Sequence, residues 1–128
     1  MTDLQALHDT THTMVMGVLN ITEDSSSDGG LWLDPAKAAQ HGRDMMAAGA
    51  AIIDIGAEST RPGAKRVAEA DELARITGAV KTLIPAGAVL SIDTTRASVA
   101  AAALSEGAQI INDVSGGTLV FAYLLFSK

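Results

Sequence analysis

The sequence predicts an α/β fold with a parallel sheet, and two observations carry that prediction. Short apolar runs rich in β-branched residues recur along the chain, and each ends in an Asp or Asn. Segments with helical periodicity separate these runs. Runs that are apolar almost throughout are typical of strands buried on both faces, and the β-α-β order implies parallel strands with right-handed crossovers. We therefore expect four parallel strands separated by three helices.

Four apolar runs are the predicted strands. The first is the longest, and each of the other three follows a Gly-Ala pair. Because the runs are short and nearly continuous in apolarity, they fit strands better than helices. They comprise residues 14–19, 51–53, 89–92 and 109–111, and the polar residues that follow them are Asn20, Asp54, Asp93 and Asn112.

Three helices are predicted between these strands. Asp34 can cap the first helix with Pro35 as its first residue, and Gly49 suits the left-handed position beyond its end. The third helix is alanine-rich and covers residues 96–106. The second ends before Pro85, and its apolar positions share one face. Those positions are Leu73, Ile76, Val80 and Leu83.

Two architectures fit this order, a doubly wound sheet and a (β/α)₈ barrel, and both bind ligands at the carboxyl ends of their strands. A doubly wound sheet normally brings a phosphate loop, but the chain has neither G-x-G-x-x-G nor G-x-x-x-x-G-K-[ST]. The parallel (β/α) barrel (TIM barrel) is therefore favoured. Such a barrel takes about 250 residues, so we expect residues 13–117 to form only its N-terminal half, with the first four strands.

The two ends of the chain depart from this pattern. Residues 1–12 are polar and are predicted to be a mobile N-terminus. Both phenylalanines and the only tyrosine fall in residues 118–128. This change in composition fits an atypical tail that arose by truncation or a frameshift. It fits equally well a genuine terminal strand or short helix that packs on the sheet.

Composition argues against several classes of function. The net charge of −6 disfavours general nucleic-acid binding. No stretch approaches the roughly 20 apolar residues of a membrane span, and the first residues lack the apolar core of a signal peptide. The absence of cysteine removes disulfides and thiolate metal sites and fits a cytoplasmic protein.

Polar side chains at the four strand ends are the first candidate site. Since the carboxyl ends of parallel strands meet at one edge, these side chains should converge there. Amide and carboxylate groups can pair with a ring bearing adjacent N–H donors, or can ligate Mg²⁺. Each residue alone is better explained as a helix cap, but four in succession favour a binding site. The four are Asn20, Asp54, Asp93 and Asn112.

The segment ESTRPG, residues 58–63, is the second candidate site. The hydroxyl of Thr60 and the guanidinium of Arg61 can hold a phosphate or carboxylate, and a turn at Pro62 would aim them. Lys65 and Arg66 add positive charge nearby. On these residues alone, an ordinary solvated surface turn explains the segment better than an anion site.

Four stretches together resemble the N-terminal half of dihydropteroate synthase, the pterin-binding (β/α)₈ enzyme of folate biosynthesis. They occur in the family's order over about residues 14–117. Any one is moderately specific, and the ordered set is highly specific. The stretches are MGVLNITEDSSSDGG, IDIGAESTRPG, SIDTTRASVA and INDVSGG.

The resemblance implies a transferase. That enzyme joins p-aminobenzoate to 6-hydroxymethyl-7,8-dihydropterin diphosphate and expels pyrophosphate with the help of Mg²⁺. It also implies that Asp93 and Asn112 hold the pterin, while Asn20 lies near the diphosphate and the magnesium. Its partners would be these small molecules, with no nucleic acid and no membrane.

The resemblance assigns further roles to two loops. Thr60 and Arg61 would touch the diphosphate and the incoming arylamine, and Pro62 would shape that pocket. Asp28 matches a first-loop acid that closes over the site and stabilises charge. The middle serine, Ser26, stands where the family usually has a phenylalanine that lines the p-aminobenzoate pocket.

Besides Ser26, two features set this chain apart from the family pattern. Ala57 replaces a usual glycine, and the later strands, with another pterin-binding acid, a lysine and an Arg-x-His motif, are absent. We therefore expect an incomplete synthase without full activity. The alternative is a non-catalytic pterin- or anion-binding fragment or pseudoenzyme. A pterin-dependent methyltransferase is a third option, which STRPG disfavours.

A half barrel also has consequences for association. Its four strands would leave two sheet edges open, and open edges favour pairing with another chain. A homodimer, or pairing with another half barrel, is therefore a further expectation.

Overall fold

The computed structural model describes residues 13–22, 34–58, 66–113 and 118–121. Within these parts, four strands and three helices alternate as the sequence predicts, and a short fifth strand follows. In chain order the elements are β1 (Val15–Asn20), α1 (Pro35–Ala47), β2 (Ala50–Gly56), α2 (Glu69–Leu83), β3 (Val89–Asp93), α3 (Ala97–Ser105), β4 (Ile110–Asp113) and β5 (Thr118–Phe121).

The strands form one sheet in the order β1-β2-β3-β4-β5. The first four are parallel, which confirms the predicted half of a (β/α) barrel. β5 runs antiparallel to β4. It occupies the outer edge of β4, where a (β/α)₈ barrel continues with another parallel strand.

The structure describes part of the atypical tail. Residues 118–121 form a strand that pairs with β4. Residues 122–128 and the predicted mobile N-terminus, residues 1–12, lie outside the described residues. The origin of the tail stays a prediction.

The helix ends follow the signals in the sequence. The carboxylate of Asp34 accepts a hydrogen bond from the backbone N–H of Ala36 at 2.9 Å, and Pro35 begins α1. Gly49 has φ +112° just beyond α1, and Gly107 has φ +116° just beyond α3. Because glycine takes positive φ without strain, it suits these two helix ends.

The helices pack on one face of the sheet and enclose an aliphatic core. The face predicted for α2 is confirmed, because Ile76, Val80 and Leu83 are all 0% exposed. From the strands, Ile53, Leu90 and other alternating residues point into the same cluster. Since successive strand residues alternate between faces, the residues between them must lie on the opposite face.

The prediction that every strand is buried on both faces is wrong for β1. Val15, Met16 and Val18 are 57%, 46% and 51% exposed, whereas Leu19 is fully buried. The physical reason is position: β1 is an edge strand, and within the described chain it is covered mainly on the helix side. The central strands fit the prediction better, since β3 is buried from Val89 to Ile92 and β2 from Ile53 to Gly56.

A candidate ligand site at the carboxyl ends of the strands

Three of the four predicted strand-end residues form one row across the sheet, whereas Asp54 lies two residues before the end of β2, and Gly56 takes its place in the row. Asn20 is the register partner of Gly56, Gly56 that of Asp93, and Asp93 that of Asn112. Their neighbours one position earlier in each strand pack against the helices. The row therefore lies on the face away from the helices, at the edge where parallel sheets bind ligands.

Gly56 lets two of these side chains approach the same place. A Cβ on Gly56 would lie 3.4 Å from Asn20 Oδ1 and 3.4 Å from Asp93 Oδ2. An amide oxygen and a carboxylate oxygen thus converge over a residue without a side chain. The result is a small acceptor-rich space between β1 and β3.

The row is accessible rather than sealed. Asn20 is exposed, and Asp93 and Asn112 are half-buried. Half-burial strengthens hydrogen bonds to a ligand relative to full exposure, because fewer water molecules compete for the same groups. This end of the sheet can therefore receive a polar heterocycle from solvent.

The helix-cap interpretation of Asp93 is not realised. The residue at the cap position of α3 is Arg96, and no side chain caps that helix. The backbone N–H of Arg96 instead donates to Thr94 Oγ1 at 3.1 Å. The carboxylate of Asp93 is directed to the row rather than to the helix, as the site interpretation requires.

A second polar pair lies one row deeper on the same face. Asp54 is the register partner of Ser91, and they are 6% and 0% exposed. Asp54 Oδ1 and Ser91 Oγ have no hydrogen-bond partner in the described structure. The sequence marked Asp54 as a strand-end acid but passed over Ser91, whose only signal is that it interrupts the apolar run 89–92.

An ion-pair network flanks the site and was not predicted. Arg96 donates to Glu72 at 2.7 Å and to Glu58 at 3.2 Å, and Arg66 also donates to Glu58 at 3.2 Å. The hydroxyl of Thr94 donates to Glu72 at 2.7 Å. These contacts tie the end of β2 to α2 and to the β3-α3 connection.

The network also includes Arg66, the last residue of the basic stretch around residues 61–66. Arg66 is paired with Glu58 and donates a second hydrogen bond to Thr95 at 2.8 Å. Its charge is therefore already matched within the protein. Lys65 lies outside the described residues, as do five residues of the predicted site loops, Ser26, Asp28, Thr60, Arg61 and Pro62.

Ala57, the departure from the usual glycine, fits its place. It is fully buried in the core beside β2. No non-glycine residue of the described structure has positive φ, so the backbone at this position suits alanine. The substitution therefore imposes no backbone strain here.

The described residues contain neither a metal-binding cluster of side chains nor a membrane-spanning helix. Among them, no group of three or more His, Cys, Asp or Glu side chains is arranged to hold a metal ion. None of the helices seen in this part of the chain has the length and apolarity needed to cross a bilayer.

The fold and the row of side chains at the strand ends define a class of protein. It is a (β/α)-barrel type protein with a ligand site at the carboxyl ends of its strands. Comparison with known protein families then makes the class specific. The family described as pterin binding enzyme matches residues 16–125. The chain therefore belongs to the pterin-binding enzyme family.

Comparison with individual relatives supports the same family assignment. The dihydropteroate synthase of Mycobacterium leprae is 61% identical over 103 residues, which are 80% of this chain and 36% of that protein. The dihydropteroate synthase of Bacillus subtilis is 49% identical over 105 residues, 81% of this chain and 37% of that protein. The chain thus spans little more than a third of the length of these relatives.

Solved structures show the same relationship. Burkholderia cenocepacia dihydropteroate synthase complexed with 7,8-dihydropteroate superposes with a TM-score of 0.68 at 40% identity, covering 80% of this chain and 33% of that one. The Xanthomonas albilineans enzyme with 4-aminobenzoic acid gives 0.74 at 42% identity, covering 82% and 39%. These similarities confirm the fold class predicted from the sequence.

Proposed function

We propose that this chain carries the pterin-binding part of a dihydropteroate synthase. The complete reaction condenses p-aminobenzoate with 6-hydroxymethyl-7,8-dihydropterin diphosphate and releases pyrophosphate. The observation that carries the proposal is the row of Asn20, Gly56, Asp93 and Asn112 at the carboxyl ends of β1 to β4. Relatives crystallised with 7,8-dihydropteroate and 4-aminobenzoic acid support the substrate classes.

The chemistry of the row suits a pterin. The Asp93 carboxylate is an acceptor for the N–H groups of the ring, and such charge-assisted hydrogen bonds are about twice as strong as neutral ones. The Asn112 amide both donates and accepts, so it can pair with ring atoms of either type. Their adjacency in register places the two groups side by side for a planar ligand.

The reaction itself is a substitution at a methylene carbon. The bond from that carbon to the diphosphate oxygen breaks, and the electron pair leaves with pyrophosphate. The arylamine nitrogen of p-aminobenzoate forms the new bond to carbon and then loses a proton. A cationic methylene develops as the diphosphate leaves, and carboxylates stabilise such a cation: Asp93 in the row and, by family resemblance, Asp28.

Groups outside the described residues complete this proposal by family resemblance. Thr60 and Arg61 contact the diphosphate and the arylamine, and Pro62 shapes the arylamine pocket. The Arg61 guanidinium matches diphosphate oxygens through paired N–H donors.

Oxygen atoms in the row can contribute ligands to a magnesium ion. Asn20 Oδ1 is a hard oxygen ligand, with Asp93 Oδ2 near the same space. Mg²⁺ typically takes one or two protein oxygens and fills its shell with water and substrate phosphates, so a single amide oxygen can be the protein's contribution. When bound with the substrate, the ion would offset the charge of the leaving diphosphate. We assign Asn20 as its protein ligand.

Pterin binding without turnover is the second candidate function. It is favoured by β5, which runs antiparallel at the outer edge of β4, where a (β/α)₈ barrel continues with a parallel strand. We expect the chain to act on these small molecules in the cytoplasm, in keeping with its lack of cysteine.

The test combines binding and turnover. Calorimetry with 6-hydroxymethylpterin should show binding by the unchanged chain, weakened by Asp93→Asn and by Asn112→Ala. Asp44→Asn, an exposed carboxylate on α1, is the matched control and should bind like the unchanged chain. Pyrophosphate release with both substrates and Mg²⁺ should stay at background. Robust turnover would overturn the second candidate, and equal binding by Asp93→Asn would overturn the site.

A further inference from the structure

Among the residues that the structure describes, Asp54 and Ser91 are the two buried side chains with a polar atom that lacks a hydrogen-bond partner. Asp54 is 6% exposed and Ser91 is 0% exposed. Neither Asp54 Oδ1 nor Ser91 Oγ has a hydrogen-bond partner within the described chain. Buried polar groups are nearly always paired, because an unpaired one retains its full desolvation cost. Two such groups side by side call for a common explanation.

Their position connects them to the candidate site. They are register partners on adjacent strands, two residues before Gly56 and Asp93. Two residues along a strand correspond to about 6.6 Å and return to the same face of the sheet. The pair thus lies directly beneath the row that we assign to the pterin.

The rest of this deeper level is apolar. Val18 is the register partner of Asp54, and Ile110 is that of Ser91. Beyond them, Ile52, Val89 and Ile110 form a small separate cluster. The two polar groups are therefore bounded by aliphatic side chains, and the ion-pair network around Glu72 does not reach them.

We propose that Asp54 and Ser91 form the floor of the pterin pocket, with the Asp54 carboxylate accepting an N–H hydrogen bond from the buried edge of the heterocycle. Ser91 contributes a hydroxyl that can donate to a ring nitrogen or oxygen and accept from an N–H group. This inference rests on the proposed function and adds two specificity-determining residues to it. The apolar surroundings make such a hydrogen bond strong and an unmatched ligand costly.

The arrangement also predicts an opposition between stability and binding. If these groups are unpaired because they contact the ligand, removing them should relieve their desolvation cost in the free chain. The same change should weaken the complex with the ligand. If the groups were structural, the same changes would lower stability. The two roles therefore predict opposite shifts of the unfolding temperature.

The test uses this chain with 6-hydroxymethylpterin in a calorimeter and a thermal scan without ligand. Asp54→Asn keeps the shape of the side chain but removes its charge, and Ser91→Ala removes the hydroxyl. We expect Asp54→Asn to weaken pterin binding by about tenfold or more, the size of one lost charge-assisted hydrogen bond. Both variants should unfold at the same temperature as the unchanged chain or higher.

The outcomes separate this inference from the proposed function. If Asp54→Asn binds pterin with unchanged affinity while Asp93→Asn binds it more weakly, the assignment of Asp54 and Ser91 to the pocket floor is wrong. The assignment of the row to pterin binding then still holds. A lower unfolding temperature in both variants would also overturn the pocket-floor assignment, because it would show a structural role. Absence of pterin binding by the unchanged chain would overturn the proposed function and this assignment together. Asp44→Asn again serves as the control for affinity.

Discussion

Asn20 Oδ1 and Asp93 Oδ2 face each other across Gly56, each 3.4 Å from the point where a Cβ on that glycine would lie. The space between them exists because residue 56 has no side chain. Gly56 is not among the glycines with positive φ, so its backbone suits alanine. Its role is therefore to leave room rather than to permit a special backbone conformation.

Gly56→Ala should separate binding from stability. The added methyl group would touch both oxygens at ordinary contact distance and fill the space between them. We expect pterin affinity to fall by at least tenfold, while the free energy of unfolding stays equal or rises by about 0.5–1 kcal/mol, as is usual when alanine replaces a strand glycine. Calorimetry and denaturant titration measure the two quantities. Undiminished affinity would show that the space is not used.

Arg96→Ala should destabilise the fold strongly. The side chain of Glu72 is 2% exposed, and Arg96, which is 17% exposed, is its charged partner at 2.7 Å. Among the described residues, removing Arg96 leaves the buried carboxylate with the Thr94 hydroxyl as its remaining partner, which costs about 3–5 kcal/mol. In a urea titration, the concentration at which half of the protein is unfolded should fall accordingly.

Lys81→Ala is the matched control for Arg96→Ala. Lys81 pairs with Glu106 at 3.9 Å on the surface, and exposed pairs contribute about 0–1 kcal/mol. If Lys81→Ala and Arg96→Ala lowered the free energy of unfolding by similar amounts, burial would not explain the effect of Arg96.

Ser91→Ala and Thr94→Val form a contrasting pair of buried hydroxyl deletions. Both residues are less than 10% exposed, but Thr94 donates to Glu72 at 2.7 Å whereas Ser91 Oγ has no partner in the described structure. We expect Thr94→Val to lower the free energy of unfolding by about 1–3 kcal/mol, and Ser91→Ala to leave it unchanged or raise it. Equal losses would show that Ser91 is satisfied in solution. Denaturant titration of both variants decides between these results.

Val15→Lys should reduce self-association. β1 is an edge strand, and Val15, Met16 and Val18 expose apolar side chains along it. Such an edge favours pairing with a second chain, and a lysine there opposes pairing. Light scattering over a concentration series should show association of the unchanged chain and less of it for the variant. Thr82→Lys, an exposed position on α2, controls for the added charge; a monomeric unchanged chain would contradict the predicted homodimer.

Local signals in the sequence predicted much of the fold. Asp34, Pro35 and Gly49 bound α1 as predicted, because capping and positive φ depend on a few neighbouring residues. Three of the four polar residues predicted at the strand ends also converged as expected, whereas Asp54 lies two residues before the end of β2. Parallel topology alone brings carboxyl ends to one edge, so Asn20, Asp93 and Asn112 needed no further information.

Other features could not be read in this way, because they depend on contacts between segments far apart in the chain. Arg96 could be recognised as basic, but its pairing with Glu58 and Glu72 requires residues 38 and 24 positions away. The exposure of β1 follows from its place at the sheet edge, which its apolar composition does not reveal.

The sequence by itself determined the order of strands and helices, the family and the residues at the strand ends. Periodicity, capping and motifs act over short distances and are written directly in the chain. Only the tertiary structure decided that Gly56 opens a space between Asn20 and Asp93, and that Asp54 and Ser91 lie buried side by side beneath it. Strand register sets these relationships, and register emerges only when distant strands pair and one face is buried against the helices.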